Sequence, residues 1–168
     1  MLDKVRSKYI LQEIFIKIKN KRKLNIIKYN KRIKDKLKIN IKDYKIYISL
    51  REFNIKYNIN IEDIDEKELN LSKRYLGNEG LKDLCKIEFK ELKILCLGSN
   101  YISDINALEN AKFEKLEILK LGNNNISDIN ILEKVNFKEL KILKLFKNNI
   151  SDLNVLDKLK FKKLKLFI

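Results

Sequence analysis

The chain has no proline, no histidine, two cysteines and no long apolar run. Each scarcity narrows the reading. Without histidine it lacks the commonest general base and metal ligand. The patterns G-x-x-x-x-G-K, G-x-S-x-G and C-x-x-C are all missing, so no phosphate loop, nucleophile elbow or redox pair is expected. Cys85 and Cys96 fit no metal or disulfide spacing and are expected as free thiols, which suits a reducing compartment. No segment approaches the roughly 18 apolar residues that span a bilayer. Lys17 and Lys19 interrupt the apolar part of the N-terminus, which makes a poor signal peptide. A cytoplasmic or nuclear location is expected, with no enzyme activity, no cofactor and no metal.

What is abundant is lysine, asparagine and isoleucine, a bias that A/T-rich codons would produce by themselves. The 168 residues carry 38 Lys plus Arg against 23 Asp plus Glu, a net charge of +15. The excess is unevenly spread. Residues 1–60 hold 18 basic and 5 acidic side chains (+13), and residues 61–168 hold 20 and 18 (+2). A basic N-terminal segment raises nucleic acid or an anionic membrane as partners.

Residues 92–163 are three copies of one 24-residue unit: LKILCLGSNYISDINALENAKFEK, LEILKLGNNNISDINILEKVNFKE and LKILKLFKNNISDLNVLDKLKFKK. The first two agree at 14 of 24 positions. A fixed period in the twenties predicts a solenoid in which each unit buries its apolar face against its neighbours. In the middle copy the recurring apolar positions are Leu116, Leu119, Leu121, Ile126, Ile129, Leu132 and Phe137. The L-x-x-L-x-L stretch alternates as a strand does. Asn100, Asn124 and Asn148 follow at a constant interval, and stacked amides would form a buried structural ladder. The Ser-Asp pairs that begin at Ser103, Ser127 and Ser151 suit turns or helix caps.

These residues resemble the leucine-rich-repeat signature L-x-x-L-x-L-x-x-N-x-L. The 24-residue length and the N-x-I-S-D-I-x-x-L segment are most similar to the subfamily of the leucine-rich regulatory subunit of protein phosphatase 1 and to bacterial internalins. The resemblance implies an α/β solenoid of four to five short repeats, with a parallel sheet on its concave face. A divergent first repeat, ELNLSKRYLGNEGLKDLCKIEF, sets Leu69 and Leu71 beside Leu95 and Leu97, with Arg74 in the place of the ladder asparagine. FKKLKLFI begins a further repeat and stops on its strand, so either the chain is a fragment or a truncated or naturally short gene product, or this open C-terminal edge self-associates.

Side chains between the framework leucines point to the other side of the sheet. The expected protein-binding surface on the concave face is therefore Ile94, Cys96, Ser99, Ile118, Lys120, Asn123, Ile142, Lys144, Phe146 and Lys147. Phe146 stands where earlier copies have Gly98 and Gly122, an aromatic between two lysines that suits an interface anchor.

Two domains are expected: a basic, mainly helical N-terminal segment over 1–65, and repeats over 66–168. Helices are expected within 9–37 from Leu11, Ile14, Phe15 and Ile18. Over 39–61 the every-second-residue pattern of Phe53, Ile55, Tyr57, Ile59 and Ile61 favours a strand or extended segment. Three readings of the N-terminal segment stay open. It is a helical cap for the first repeat; or YILQEIFIKIKNKRKLNIIKYNKRIKDKL resembles an F-box, which implies a ubiquitin-ligase substrate adaptor; or an electrostatic patch of Lys21, Arg22, Lys23, Lys31, Arg32 and Lys34 binds nucleic acid or anionic membrane. The leading expectation for the whole chain is a non-catalytic protein-protein interaction module.

Overall fold

A computed structural model describes residues 31, 32, 35, 41–159 and 164–168. The chain divides into two compact units, 1–49 and 50–168. In the first unit Lys31, Arg32 and Asp35 are helical and exposed. The rest of the expected helices over 9–37, the F-box-like stretch, and Lys21, Arg22, Lys23 and Lys34 lie outside the described residues.

Helix α1 spans Ile41–Tyr57. This corrects the strand expected over 39–61. The buried residues of α1 are Ile46, Leu50 and Phe53, at the four- and three-residue spacing of a helix face, whereas Ile55 is 70% exposed. The period of two was carried by residues that do not share a buried side. Asn58 ends the helix in the left-handed region (φ 49°), where asparagine is among the few tolerated residues. The Asn54 side chain then clasps the departing chain. Its Nδ2 donates to the Ile61 carbonyl (2.8 Å) and its Oδ1 accepts from the Ile61 N–H (3.1 Å).

The second unit is dominated by one parallel sheet in sequence order: β1 (Glu68–Asn70), β2 (Ile94–Cys96), β3 (Ile118–Lys120), β4 (Ile142–Lys144) and β5 (Lys165–Phe167). Leu69 pairs with Leu95, Leu95 with Leu119, Leu119 with Leu143 and Leu143 with Leu166. The divergent first repeat thus keeps register despite its greater length. It returns through an α-helix, α2 (Gly77–Leu84), where the next three units use 3₁₀ helices at Asn106–Asn110, Asn130–Glu133 and Asn154–Lys158. In each 3₁₀ unit the aspartate of the Ser-Asp pair starts the turn. Asp104, Asp128 and Asp152 accept from the N–H two residues on, at 2.8, 2.8 and 2.9 Å.

The core lies between the strands and these return segments. Leu95, Leu97, Leu119, Leu121, Leu143 and Leu145 have no exposed surface. Phe89, Phe113 and Phe137 pack behind them in a row, the first pair tilted and the second stacked, with ring centroids 6.1 and 6.2 Å apart. Repetition places like on like, so every unit completes the apolar pocket of its neighbour. The sheet, the repeating returns and the continuous core make the second unit an α/β repeat solenoid with a parallel sheet.

Polar groups at the strand exits are satisfied by the asparagines. Asn124 donates to the carbonyls of Leu121 (2.8 Å) in its own unit and Leu97 (3.1 Å) in the preceding one. Its Oδ1 accepts from the N–H groups of Asn100 (2.9 Å) and Ile102 (3.1 Å). Asn100 does the same one unit earlier, donating to Leu97 and Leu71 and accepting from the Arg74 N–H. Asn148 repeats it one unit later with Leu145, Leu121 and the Ile126 N–H. At the start of the ladder Arg74 supplies only its backbone, and its side chain is exposed.

The end of α1 is tied to α2 through Asp83. Its carboxylate accepts from Lys56 Nζ (2.6 Å), Tyr57 OH (2.9 Å) and Lys86 Nζ (2.7 Å). Partial burial by itself raises the Asp83 pKa, but the three hydrogen bonds outweigh it and hold the carboxyl well below the usual carboxylate range.

Two outcomes follow. Asn124→Ala leaves the buried N–H groups of Asn100 and Ile102 without an acceptor and removes one of the two amide donors from each of the Leu97 and Leu121 carbonyls. It is expected to cost about 3 kcal/mol in urea unfolding, against less than about 0.5 kcal/mol for exposed Asn130→Ala. Asp83→Asn is expected to cost about 1 kcal/mol at neutral pH. A carboxylate with a depressed folded pKa stabilises fully above its unfolded value of about 3.9, and that stabilisation fades as pH falls below it. The difference between the wild-type and Asp83→Asn proteins should therefore narrow on acidification in pH-dependent melts. A constant difference would remove the charge-based account.

Candidate functional site

Because the strands are parallel and in register, side chains at one repeat position form a row across the sheet. One row on the solvent side runs Glu68, Ile94, Ile118, Ile142 and Lys165. The next runs Asn70, Cys96, Lys120, Lys144 and Phe167. Ile94, Ile118, Ile142, Lys120 and Lys144 are all half-buried, so an apolar ridge lies beside basic groups. Cys96, although in this row, is only 6% exposed. The Lys144 ammonium lies 5.1 Å from the centre of the Phe167 ring, within cation–π range.

At the strand exits Lys73, Ser99, Asn123 and Lys147 occupy equivalent places, and all four are left-handed (φ 58, 58, 58 and 55°). Asn123 Nδ2 donates to Ser99 Oγ (2.7 Å), which continues the repeat-to-repeat bonding along this edge. Phe146 is 43% exposed, yet much of its ring is engaged. A Cβ at Gly122 would come within 2.7 Å of Phe146 Cζ, so the ring lies directly over the Gly122 backbone. The aromatic in one unit is accommodated by the glycine in the unit before.

The lysines differ sharply by position. On the strand-entry side they are paired across repeats. Glu117 bridges Lys93 (3.0 Å) and Lys141, Glu91 meets Lys115, and Glu88 meets Lys112 (3.6 Å). The hydrogen bonds from Lys141 and then Lys93 hold the Glu117 carboxyl below its ordinary value. Among the described residues, Lys73, Lys120, Lys144 and Lys147 form no ion pair. Among the described residues, these four lysines of the strand face and exits therefore have no carboxylate partner.

One feature was not singled out from the sequence. Tyr75 and Tyr101 stack with ring centroids 5.7 Å apart and planes 23° from parallel. They are 77% and 66% exposed. Both are left-handed (φ 58 and 60°), a conformation that costs a residue without a compensating side-chain bond about 1–3 kcal/mol. Asn125 and Asn149 hold this place in later copies and do not adopt it. The signal was present as a tyrosine after the ladder position in only the first two units.

Among the described residues no helix is long and apolar enough to cross a membrane, and no cluster of His, Cys, Asp or Glu is arranged to hold a metal. Burial pushes the Cys85 thiol up to about 12, far from the range of a nucleophilic thiolate.

No protein-family model matches the chain, and no curated protein matches it. Among solved structures it is similar to two internalins of Listeria monocytogenes. With internalin inlF it shares 30% identity over 51% of this chain and 30% of that one, at a TM-score of 0.33. With internalin C2 (inlC2) it shares 16% identity over 69% of this chain and 80% of that one, at a TM-score of 0.32. The chain thus spans less than a third of the inlF structure.

The Gly122–Phe146 contact makes a paired prediction. Gly122→Ala is expected to destabilise the protein by about 1–3 kcal/mol. In a Phe146→Ala background the same change should cost less than about 1 kcal/mol, because the obstructing ring is gone. A double-mutant cycle by denaturant unfolding reads the coupling. Additive costs would show that the ring moves freely off the glycine.

Proposed function

We propose that the chain is a non-catalytic protein-protein interaction module whose partner docks on the exposed face of the sheet, the face expected to be concave. The observation that carries this reading is the half-buried ridge of Ile94, Ile118 and Ile142 beside Lys120 and Lys144, which lack ion-pair partners among the described residues. Apolar area supplies affinity, and adjacent uncompensated charge supplies orientation and choice of partner. A rigid sheet also presents these groups at little entropic cost. Phe146 and Lys147 extend the surface toward the strand exits. Two domains, 1–65 and 66–168, remain the proposed division of labour, with the repeats as the binding part and a cytoplasmic or nuclear setting. The adaptor and electrostatic readings rest mainly on residues that lie outside the described ones.

The test compares affinity capture from source cells by the wild-type chain, by Lys120→Glu combined with Lys144→Glu, and by Lys134→Glu, an exposed change on a return segment. The sheet-face double variant is expected to lose the captured partner, with affinity down about tenfold or more for the purified pair. Lys134→Glu and a chain lacking residues 1–40 should retain it. An identical protein set for all four chains would place the binding site elsewhere.

A further inference from the structure

The stacked tyrosines stand at the edge of an open groove of about 390 Å³, lined chiefly by Lys73, Tyr75, Ser99, Tyr101, Asn123 and Asn125. Its lining includes no carboxylate. It offers an ammonium group, phenolic and aliphatic hydroxyls and side-chain amides, a set rich in hydrogen-bond donors. Lys73, Ser99 and Asn123 belong to the same left-handed strand-exit row as Lys147, so the groove lies at the exits of β1, β2 and β3, the last of which carries Lys120. Two strongly exposed aromatic rings, held in a backbone conformation that later copies avoid with asparagine, are not accounted for by packing of the core.

We propose that this strand-exit rim is a second contact site, taking a carboxylate-bearing segment of the protein partner that crosses from the sheet face over the Tyr75–Tyr101 stack. The inference rests on the sheet-face reading of function and names the chemistry of its partner. Charge complementarity selects an acidic segment. Lys73 and Lys147 on the rim, like Lys120 and Lys144 on the face, have no carboxylate partner among the described residues. Tyrosine suits the apolar part of such a segment because it offers a large rigid ring together with a hydroxyl donor. Single-stranded nucleic acid is the weaker match. Its bases need free ring faces at successive positions, and here the two rings lie against each other.

The test uses the full chain and fluorescence anisotropy with three labelled probes: a short peptide of alternating glutamate and leucine, its lysine–leucine counterpart, and oligo-uridylate. The rim variant is Tyr75→Asn with Tyr101→Asn, since asparagine tolerates the left-handed backbone. Matching circular dichroism and melting curves establish that it folds. Tyr75→Phe with Tyr101→Phe keeps the stack without the hydroxyls. The wild-type chain is expected to bind the glutamate peptide in a salt-sensitive manner and to reject the lysine peptide. The asparagine variant should bind the glutamate peptide about tenfold more weakly, and the phenylalanine variant should recover most of the loss. Unchanged binding by the asparagine variant, with loss in Lys120→Glu combined with Lys144→Glu, would overturn the rim site and leave the sheet-face reading standing. Unchanged binding in both sets of variants would overturn both. Failure of the glutamate peptide to bind wild type, or tighter binding of oligo-uridylate that the tyrosine changes abolish, would overturn the acidic-segment proposal.

Discussion

The asparagine ladder is the constraint on which the rest of this molecule depends. A strand that turns sharply away from a sheet leaves carbonyls and N–H groups inside the protein with no ladder partner. Asn100 and Asn124, both buried, and half-buried Asn148 satisfy those groups with amides that reach into two consecutive units. That requirement fixes the spacing between units, since an amide displaced by one residue would lose partners on both sides. It also explains why a 26-residue step from Leu69 to Leu95 is tolerated. The added length is absorbed in the return segment as a full α-helix, and the polar stitching at the strand exit is kept.

A fixed register has a second consequence. Whatever chemistry stands at one repeat position becomes a stripe, because each strand sets its side chains beside their equivalents. Stripes of like charge repel unless they are interleaved. On the strand-entry side the chain alternates: Glu117 sits between Lys93 and Lys141, and Lys115 and Lys112 face carboxylates from the preceding unit. On the sheet face and at the exits the alternation is missing. Solvent-exposed ion pairs contribute little to stability, so the pairing on one side matters less for folding than for where it leaves positive charge uncancelled.

Much of this architecture was legible in the sequence because repetition multiplies weak signals. One L-x-x-L-x-L is common, but three at a fixed interval define both the strands and their register. The interval between the ladder asparagines is equally visible, although the carbonyls each amide reaches are not. Legibility stopped where repetition stopped. The segment 39–61 has no copy to check it against, and its alternating isoleucines and tyrosines outweighed the Ile46, Leu50 and Phe53 spacing that its helix buries. The Asp83 cluster joins residues 26 and 27 positions apart through long flexible side chains, which no local pattern encodes. Phe146 could be read as exposed, but its seat on Gly122 depends on the neighbouring unit's backbone.

In a repeat protein, departures from the consensus carry the information about function that the consensus cannot carry. The framework leucines, the ladder asparagines and the turn-forming aspartates have a complete structural account, and any solenoid of this design needs them. Tyr75 and Tyr101 have none. Asparagine serves at the same place in later units, and each tyrosine adopts a conformation that disfavours its own side chain. A tyrosine retained for stacking alone would gain about 0.5–1.5 kcal/mol from the pair. The two strained residues cost about 1–3 kcal/mol each. The stack alone therefore does not offset the strain, which the surrounding fold carries as it does at Lys73, Ser99, Asn123 and Lys147; on the proposal above, contact with the partner's acidic segment draws a further gain from the same exposed rings.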